Sequence, residues 1–367
     1  MSYPYHFYAI VIPGLEAVAA KELEELSAHE IRTDSGGVHF AGTMETMFRV
    51  NLRSRCITRV LLRLKRFTAM SLSDLGQKVE KVAWEQYLNS DSGITVHANC
   101  HASKLMHTTK IENEVREAIK KSGFSGNSAA ARQQIFIRIE NNRCLLSIDT
   151  SGERLDRRGY RLESGKAPVR ETLAAGVLQW MQWRPDEALL VPMCGSGTFA
   201  IEAAMMGIRQ APGLAHAFPF LTWPQLKQKG WERVLKRTQA MMRDDIDALS
   251  IHASDVNPDA VETAARNADR AGVERLIHME QKEIKELKSH EHLHSGLVIC
   301  NPPYGQRIDT NVHALYATLG KMHKNEFSGW RMAVFSPDHR CEKYLGLSVK
   351  RRLKVKHGGK WVNILHV

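Results

Sequence analysis

The sequence offers little to support a metal centre, a disulfide scaffold or a membrane span. Its six cysteines, Cys56, Cys100, Cys144, Cys194, Cys300 and Cys341, are scattered over 367 residues with no CxxC pair. That spacing speaks against a zinc ribbon, an iron–sulfur motif or a disulfide framework, and reads as reduced thiols in a cytoplasmic protein. The 17 histidines show no HxxxH spacing on a clear helix face, so none is assigned to catalysis or metal. No apolar run approaches the ~20 residues that cross a bilayer. The first 18 residues lack a basic leader and a small-residue cleavage site, so a secretory signal is not expected. Tandem repeats and low-complexity segments are absent. Acid is in short supply as well, with 40 Asp and Glu against 51 Lys and Arg, a net charge of +11. An excess of that sign favours a polyanionic partner, nucleic acid or an anionic membrane surface.

What is present changes character near residues 155–168. Before it, short segments alternate irregularly: a strand at 5–12, a helix at 15–27, the turn SGG at 35–37 between short strands, a helix at 43–54 and a strand at 58–67. A second cycle follows, with a helix around 74–88, a strand at 94–100, a helix at 108–121 and strands at 134–140 and 143–149. Small α+β modules of ferredoxin-like type fit this pattern. Residues 152–168 are polar, basic and glycine-containing, as in a linker or surface strip. Beyond 168, strands at 188–192, 250–255, 277–281, 296–301 and 331–336 alternate with helices, which predicts a mainly parallel, doubly wound sheet. Asn257, Pro258 and Gly272 supply N-cap, first turn and stop for a helix at 258–271. The C-terminal segment, SVKRRLKVK then HGG then KWVNILHV, reads as an antiparallel hairpin.

Three loops at strand ends carry chemistry. Pro192-Met193-Cys194-Gly195-Ser196-Gly197-Thr198 leaves a strand and opens a helix. Its glycines let a backbone pass close to a ligand, and the helix start favours an anion, although GxG alone is also an ordinary tight turn. Asp255 ends the next strand, where a carboxylate can accept ribose hydroxyls; a helix-capping Asp is the other reading. The interval of about 60 residues from the glycines, and a loop that is not GxGxxG, count against a dehydrogenase. Asn301-Pro302-Pro303-Tyr304 then follows the apolar strand GLVIC. An exocyclic base amine is a poor nucleophile because its lone pair is delocalised into the ring. The Asn301 side-chain oxygen and the Pro302 carbonyl can hold its hydrogens and turn the lone pair toward an electrophilic methyl. Tyr304 can stack on a flipped base, and the prolines stiffen the loop.

PMCGSGTFAIEAA, SDVNPDAVETAARNADRAGV and NPPYGQR together resemble a class I methyltransferase acting on exocyclic amines. With SGERLDRRGYR and APVRETLAAGVL, nearly the whole chain resembles the THUMP-containing RNA guanine-N2 methyltransferases, in particular those that modify bacterial large-subunit ribosomal RNA. The resemblance is most specific from 152 to 340. It implies a ferredoxin-like segment at 1–65, a THUMP RNA-binding module at 66–155 and, at 156–367, a Rossmann-like seven-stranded methyltransferase domain ending in the hairpin. No second, fused methyltransferase is expected.

Carried over residue by residue, the resemblance implies an S-adenosyl-L-methionine site. Gly195 and Gly197 would stand beside its methionine end, with Pro192, Cys194 and Thr198 in the same loop. Asp255 and Val256 would meet the nucleoside, and Glu283 stands where the family usually has an Asp for the adenine amine. Pro168, Glu171 and Thr172 belong to the stretch that closes the pocket. Val191 replaces an acidic residue found in many relatives, and Glu171 or a backbone carbonyl is the expected substitute. Asn301, Pro302, Pro303 and Tyr304 are the catalytic set, Asn301 also touching the cofactor. Basic clusters at 49–66, at Arg154, Arg157, Arg158 and Arg161, and at 350–356 are expected to contact RNA phosphates. The expected activity is guanine-N2 methylation of ribosomal RNA. A transfer RNA target, adenine-N6 methylation of RNA or DNA, and an RNA-binding assembly factor that keeps the fold remain open. The excursion at 208–249 reads as a helical cover on the sheet or a border to the target base.

Overall fold

The computed structural model describes residues 3–124, 132–163, 168–243, 249–289, 295–303 and 312–367. The chain forms two compact units. The first comprises Met1–Val11, Ala20–Leu155 and His216–Arg237, and the second Ile12–Ala19, Asp156–Ala215 and Thr238–Val367.

In the first unit β1 (Tyr5–Val11), β2 (His29–Asp34), β3 (Gly37–Gly42), β4 (Ile57–Thr68), β5 (Gly93–His101), β6 (Arg132–Glu140) and β7 (Arg143–Asp149) form one sheet. Its order is β2-β3-β1-β4-β7-β6-β5, antiparallel except where β5 runs parallel to β6. Continuity comes from β4, which spans 12 residues. It pairs with β1 on one edge and β7 on the other, with a register shift between Arg63 and Lys65. Two modules that the sequence presents in tandem therefore share one sheet. Around it are α1 (Glu16–Glu25), whose first residues group with the second unit, α2 (Met44–Arg53), α3 (Leu72–Glu80) and α4 (Thr108–Lys121). The apolar faces of α3 and α4, including Leu75, Val79, Ile111 and Val115, bury Trp84 against Ile135, Ile137 and Leu146.

The basic run 49–66 contributes much of its charge inward, contrary to the expectation of an RNA-facing cluster. Arg59 pairs with the buried Asp149 and donates to Gly152 O at 2.8 Å. Arg63 donates to Ser147 Oγ at 3.0 Å and lies 4.5 Å from the Tyr8 ring centroid. Burial holds its guanidinium down at about 10. Arg49 donates to Leu26 O at 3.1 Å. Sequence alone shows the charges but not the acceptors that fold against them.

The second unit begins with α5 (Glu171–Trp180), β8 (Ala188–Pro192) and α6 (Thr198–Gly207). An insertion containing α7 (Gln228–Gln239) precedes β9 (Ile251–Asp255), α8 (Pro258–Arg270), β10 (His278–Gln281) and β11 (Gly296–Cys300). The chain ends with α9 (Val312–Glu326), β12 (Arg331–Ser336), α10 (His339–Leu345), β13 (Arg351–His357) and β14 (Lys360–His366). The sheet order is β10-β9-β8-β11-β12-β14-β13, parallel save for β14, which runs against both neighbours. Period-two alternation sorts each strand: Leu189, Val191, Leu297, Ile299, Ala333 and Phe335 face α5 and α6, while Leu190, Val298, Cys300, Met332 and Val334 face α9 and α10. Asn257 caps α8 as expected, its Oδ1 accepting from Asp259 N at 3.0 Å. The strand order reverses between β8 and β11, which places a crevice at their carboxyl ends.

The insertion departs from the helical-cover reading, because residues 216–237 group with the first unit. Phe218 and Phe220 stack at 5.1 Å, Phe48 lies 5.1 Å from Phe220, and Trp231 lies 5.4 Å from Phe220. Trp223 Nε1 donates to Gln133 Oε1 at 2.8 Å. Burying this aromatic set is the reason for the placement.

Candidate active site

The loops that follow β8, β9 and β11 line a single cavity of about 580 Å³ in the second unit. Pro192 ends β8, and the chain then turns through Met193 at φ 54°, Gly195 at φ 54° and Gly197 at φ 81°. A Cβ at residue 197 would lie 2.9 Å from Ala264 Cβ, so glycine is required both for the left-handed backbone and for the approach of α8. The buried Asn267 fixes the loop by donating to Ser196 O at 3.1 Å. Asp255 fixes it from the other side: Oδ2 accepts from Gly195 N at 3.0 Å, and Oδ1 accepts from Asn257 N at 3.0 Å.

Asn301 enters the same cavity directly after β11, with Pro302 and Pro303 beside it. Its Oδ1 is buried and has no hydrogen-bond partner among the described residues. A buried acceptor left unpaired costs about 1–3 kcal/mol, which a ligand donor can recover. Tyr304 lies outside the described residues.

Of the other residues singled out in the sequence, Pro168, Cys194, Gly195, Thr198, Asp255, Val256 and Glu283 line the cavity. Glu171, Thr172, Pro192 and Gly197 are not among its lining residues, and Gly197 acts through the loop's shape. Val191 lines the cavity without a carboxylate. Glu171 instead receives Arg161 Nη2 at 2.9 Å, while Arg161 Nη1 donates to Val169 O at 2.5 Å. Burial nevertheless pushes the Glu171 carboxyl up to about 7, against the pull of Arg161. Burial, with the Asp255 charge, likewise pushes the Cys194 thiol up to about 12, so it is not a thiolate nucleophile.

The stretch expected to be a linker or basic strip is structural in its centre. Arg158 is buried and meets the fully buried Glu202 at 3.4 Å, and Tyr160 Oη donates to the same carboxylate at 3.2 Å. Glu163 bridges Arg266 and Arg270 of α8, each at 2.7 Å. Sequence reasoning also missed Lys282, Lys285 and His357 in the cavity wall. His357 comes from the end of β13, and burial with the Arg170 charge holds its imidazole below the ordinary value. The HGG turn marked the hairpin but carried no signal that it borders the site.

A sheet reversing between β8 and β11, with a glycine turn, a strand-end acid and a proline-stiffened Asn on one edge, defines a class I methyltransferase. Comparison with known families matches residues 158–363 to the RMKL-like methyltransferase domain, 6–61 to the RlmL ferredoxin-like domain and 69–149 to the THUMP domain. The chain belongs to this RMKL-like methyltransferase family. A Synechocystis protein provisionally named an RNA methyltransferase is 33% identical, with 96% of this chain and 94% of that protein covered. The ribosomal RNA large subunit methyltransferase K/L of Psychromonas ingrahamii is also 33% identical over 94% of this chain. The chain spans only 48% of that relative's length. Among solved structures, SMU.472, provisionally named a methyltransferase and complexed with SAH, is similar with a TM-score of 0.90 and 30% identity over 100% of this chain and 98% of that one. A Listeria monocytogenes protein, named from prediction an N6-adenine-specific DNA methylase, has a TM-score of 0.87 and 28% identity over 99% of this chain and 95% of that one.

Proposed function

We propose that the chain transfers a methyl group from S-adenosyl-L-methionine to the exocyclic N2 of a guanine in large-subunit ribosomal RNA, in the cytoplasm. The observation that carries this reading is the Asn301 Oδ1, unpartnered among the described residues, in the cavity bordered by the glycine turn. The donor set fits the cofactor. Asp255 offers an acceptor to ribose hydroxyls, Glu283 an acceptor to an adenine amine, and the turn at 194–198 a cradle for the methionine end. Bound there, the cofactor supplies an electrophilic methyl on a sulfonium.

The remaining work belongs to the chain. Asn301 Oδ1 and the Pro302 carbonyl accept the two hydrogens of the target amine and orient its lone pair. Pro302 and Pro303 hold that geometry before substrate arrives, so little ordering is left for the reaction itself. The fixed dipoles of those two oxygens stabilise the positive charge that builds on the amine nitrogen. The THUMP match at 69–149 and the names of the K/L relatives support an RNA substrate. Holding an amine between two oxygens serves adenine N6 equally well, and the Listeria neighbour's name is of that kind. Nucleoside mass spectrometry of ribosomal and transfer RNA methylated in vitro separates the two. N2-methylguanosine in the large-subunit RNA is expected, and N6-methyladenosine as the product overturns the assignment.

A further inference from the structure

Downstream of Glu342 the sequence contains no Asp or Glu, yet it carries Lys343, Lys350, Arg351, Arg352, Lys354, Lys356 and Lys360. Among the described residues, Arg352, Arg351 and Lys354 have partners within the second unit. Arg352 meets Glu342 at 3.0 Å, and Arg351 lies 5.2 Å from the Trp180 ring centroid. Lys354, Lys356 and Lys360 are exposed at the tip of the β13–β14 hairpin. Register puts Lys356 opposite Trp361 and Lys354 opposite Asn363, so these side chains share one face. Trp361 is 51% exposed, with Lys354 Nζ 5.4 Å from its ring centroid. The other face, Val355, Val362 and Ile364, is buried in the core, so the hairpin is anchored on one side and open on the other.

Position gives the tip its meaning. β14 runs against β12, and β13 runs against β14, so β13 ends at the same edge of the sheet as β11 and β12. His357, the last residue of β13, lines the cavity together with Asn301. Lys360 stands opposite His357 in the hairpin register. An exposed indole among cations, in a segment that carries no acidic residue after Glu342, at the border of the cavity suits a polyanion built of flat, stackable units. A lipid surface would be met by several apolar side chains rather than one.

We propose that the hairpin tip binds the single-stranded RNA flanking the target nucleotide. Lys354 and Lys356 on the open face, with Lys360 on the side of His357, meet phosphates, and Trp361 stacks on a neighbouring base while the target enters the cavity. This rests on the reading of the chain as an RNA methyltransferase.

The test uses the full chain and a fluorescent 20-nucleotide RNA of random sequence, with affinity measured by anisotropy at several KCl concentrations. Each phosphate contact to a single strand contributes about 0.7 to the slope of log affinity against log salt. The triple variant Lys354→Ala, Lys356→Ala, Lys360→Ala is expected to lower that slope by about 2. Trp361→Ala is expected to weaken binding about tenfold with the slope unchanged, and Trp361→Phe to restore most of it. S-adenosyl-L-methionine affinity stays within about twofold in every variant, which also shows that the second unit is folded. An unchanged slope in the triple variant together with unchanged affinity in Trp361→Ala overturns the hairpin assignment and leaves the RNA reading standing. A wild-type chain that ignores RNA but binds phosphatidylserine vesicles overturns both.

Discussion

At the residue scale the site depends on backbone shapes and acceptors that few side chains can supply. Gly197 combines φ 81° with an approach of 2.9 Å between a substituted Cβ and Ala264. Gly197→Ala is therefore expected to destabilise the protein by ~2 kcal/mol in urea unfolding and to weaken cofactor binding in parallel. Asp255 holds two backbone amides, at Gly195 and Asn257, in addition to its proposed ribose contact. Losing such charge-assisted bonds costs ~2 kcal/mol, so Asp255→Ala should raise the cofactor Kd about 30-fold by calorimetry. Glu171 carries a pH signature. Its carboxyl is raised from 4.5 to about 7, so the folded state binds the proton more tightly than the unfolded chain. That contribution is complete below pH 4.5 and is lost as pH rises through 7, a change of up to ~3 kcal/mol. Unfolding free energies at pH 5 and pH 8 should therefore differ less in Glu171→Gln than in the wild type.

At the scale of elements, the sequence revealed what is periodic or capped and concealed what is paired at a distance. Helix α8 was legible because Asn257, Pro258 and Gly272 act locally. The short α10 was not anticipated, although Asp338 accepts from Arg340 N at 2.8 Å and Cys341 N at 3.0 Å to start it. Only the bend after β12 aligns that cap. The stretch at 152–168 looked like a linker because it is polar, and Arg158 finds Glu202 only across 44 residues of chain. Removing the Arg leaves a carboxylate buried at 0% exposure without its cation. Arg158→Met is expected to lower stability by ~3 kcal/mol, read as a reduced urea midpoint. The insertion at 208–249 misled for the same reason, since its aromatic residues declare burial but not the partner surface.

At the scale of the whole molecule, two seven-stranded sheets divide the labour. The first carries the ferredoxin-like and THUMP matches, and the second holds the cavity. The three loops that the sequence singled out do converge on one cavity, because alternating strands and helices force consecutive parallel strands to end on a common edge. Lys282, Lys285 and His357 were invisible beforehand because they reach the cavity from a short turn and from the hairpin, through tertiary placement alone.

Asn301 is proposed to act on the target amine rather than on cofactor binding. That role is tested most directly by titrating S-adenosyl-L-methionine into Asn301→Ala calorimetrically and following methyl transfer to RNA in a single turnover. Loss of one preorganised polar contact of this kind costs about 10²–10³ in rate. That loss is expected with cofactor affinity held within about threefold, less than one neutral hydrogen bond is worth. Methyl transfer at the wild-type rate would contradict that role.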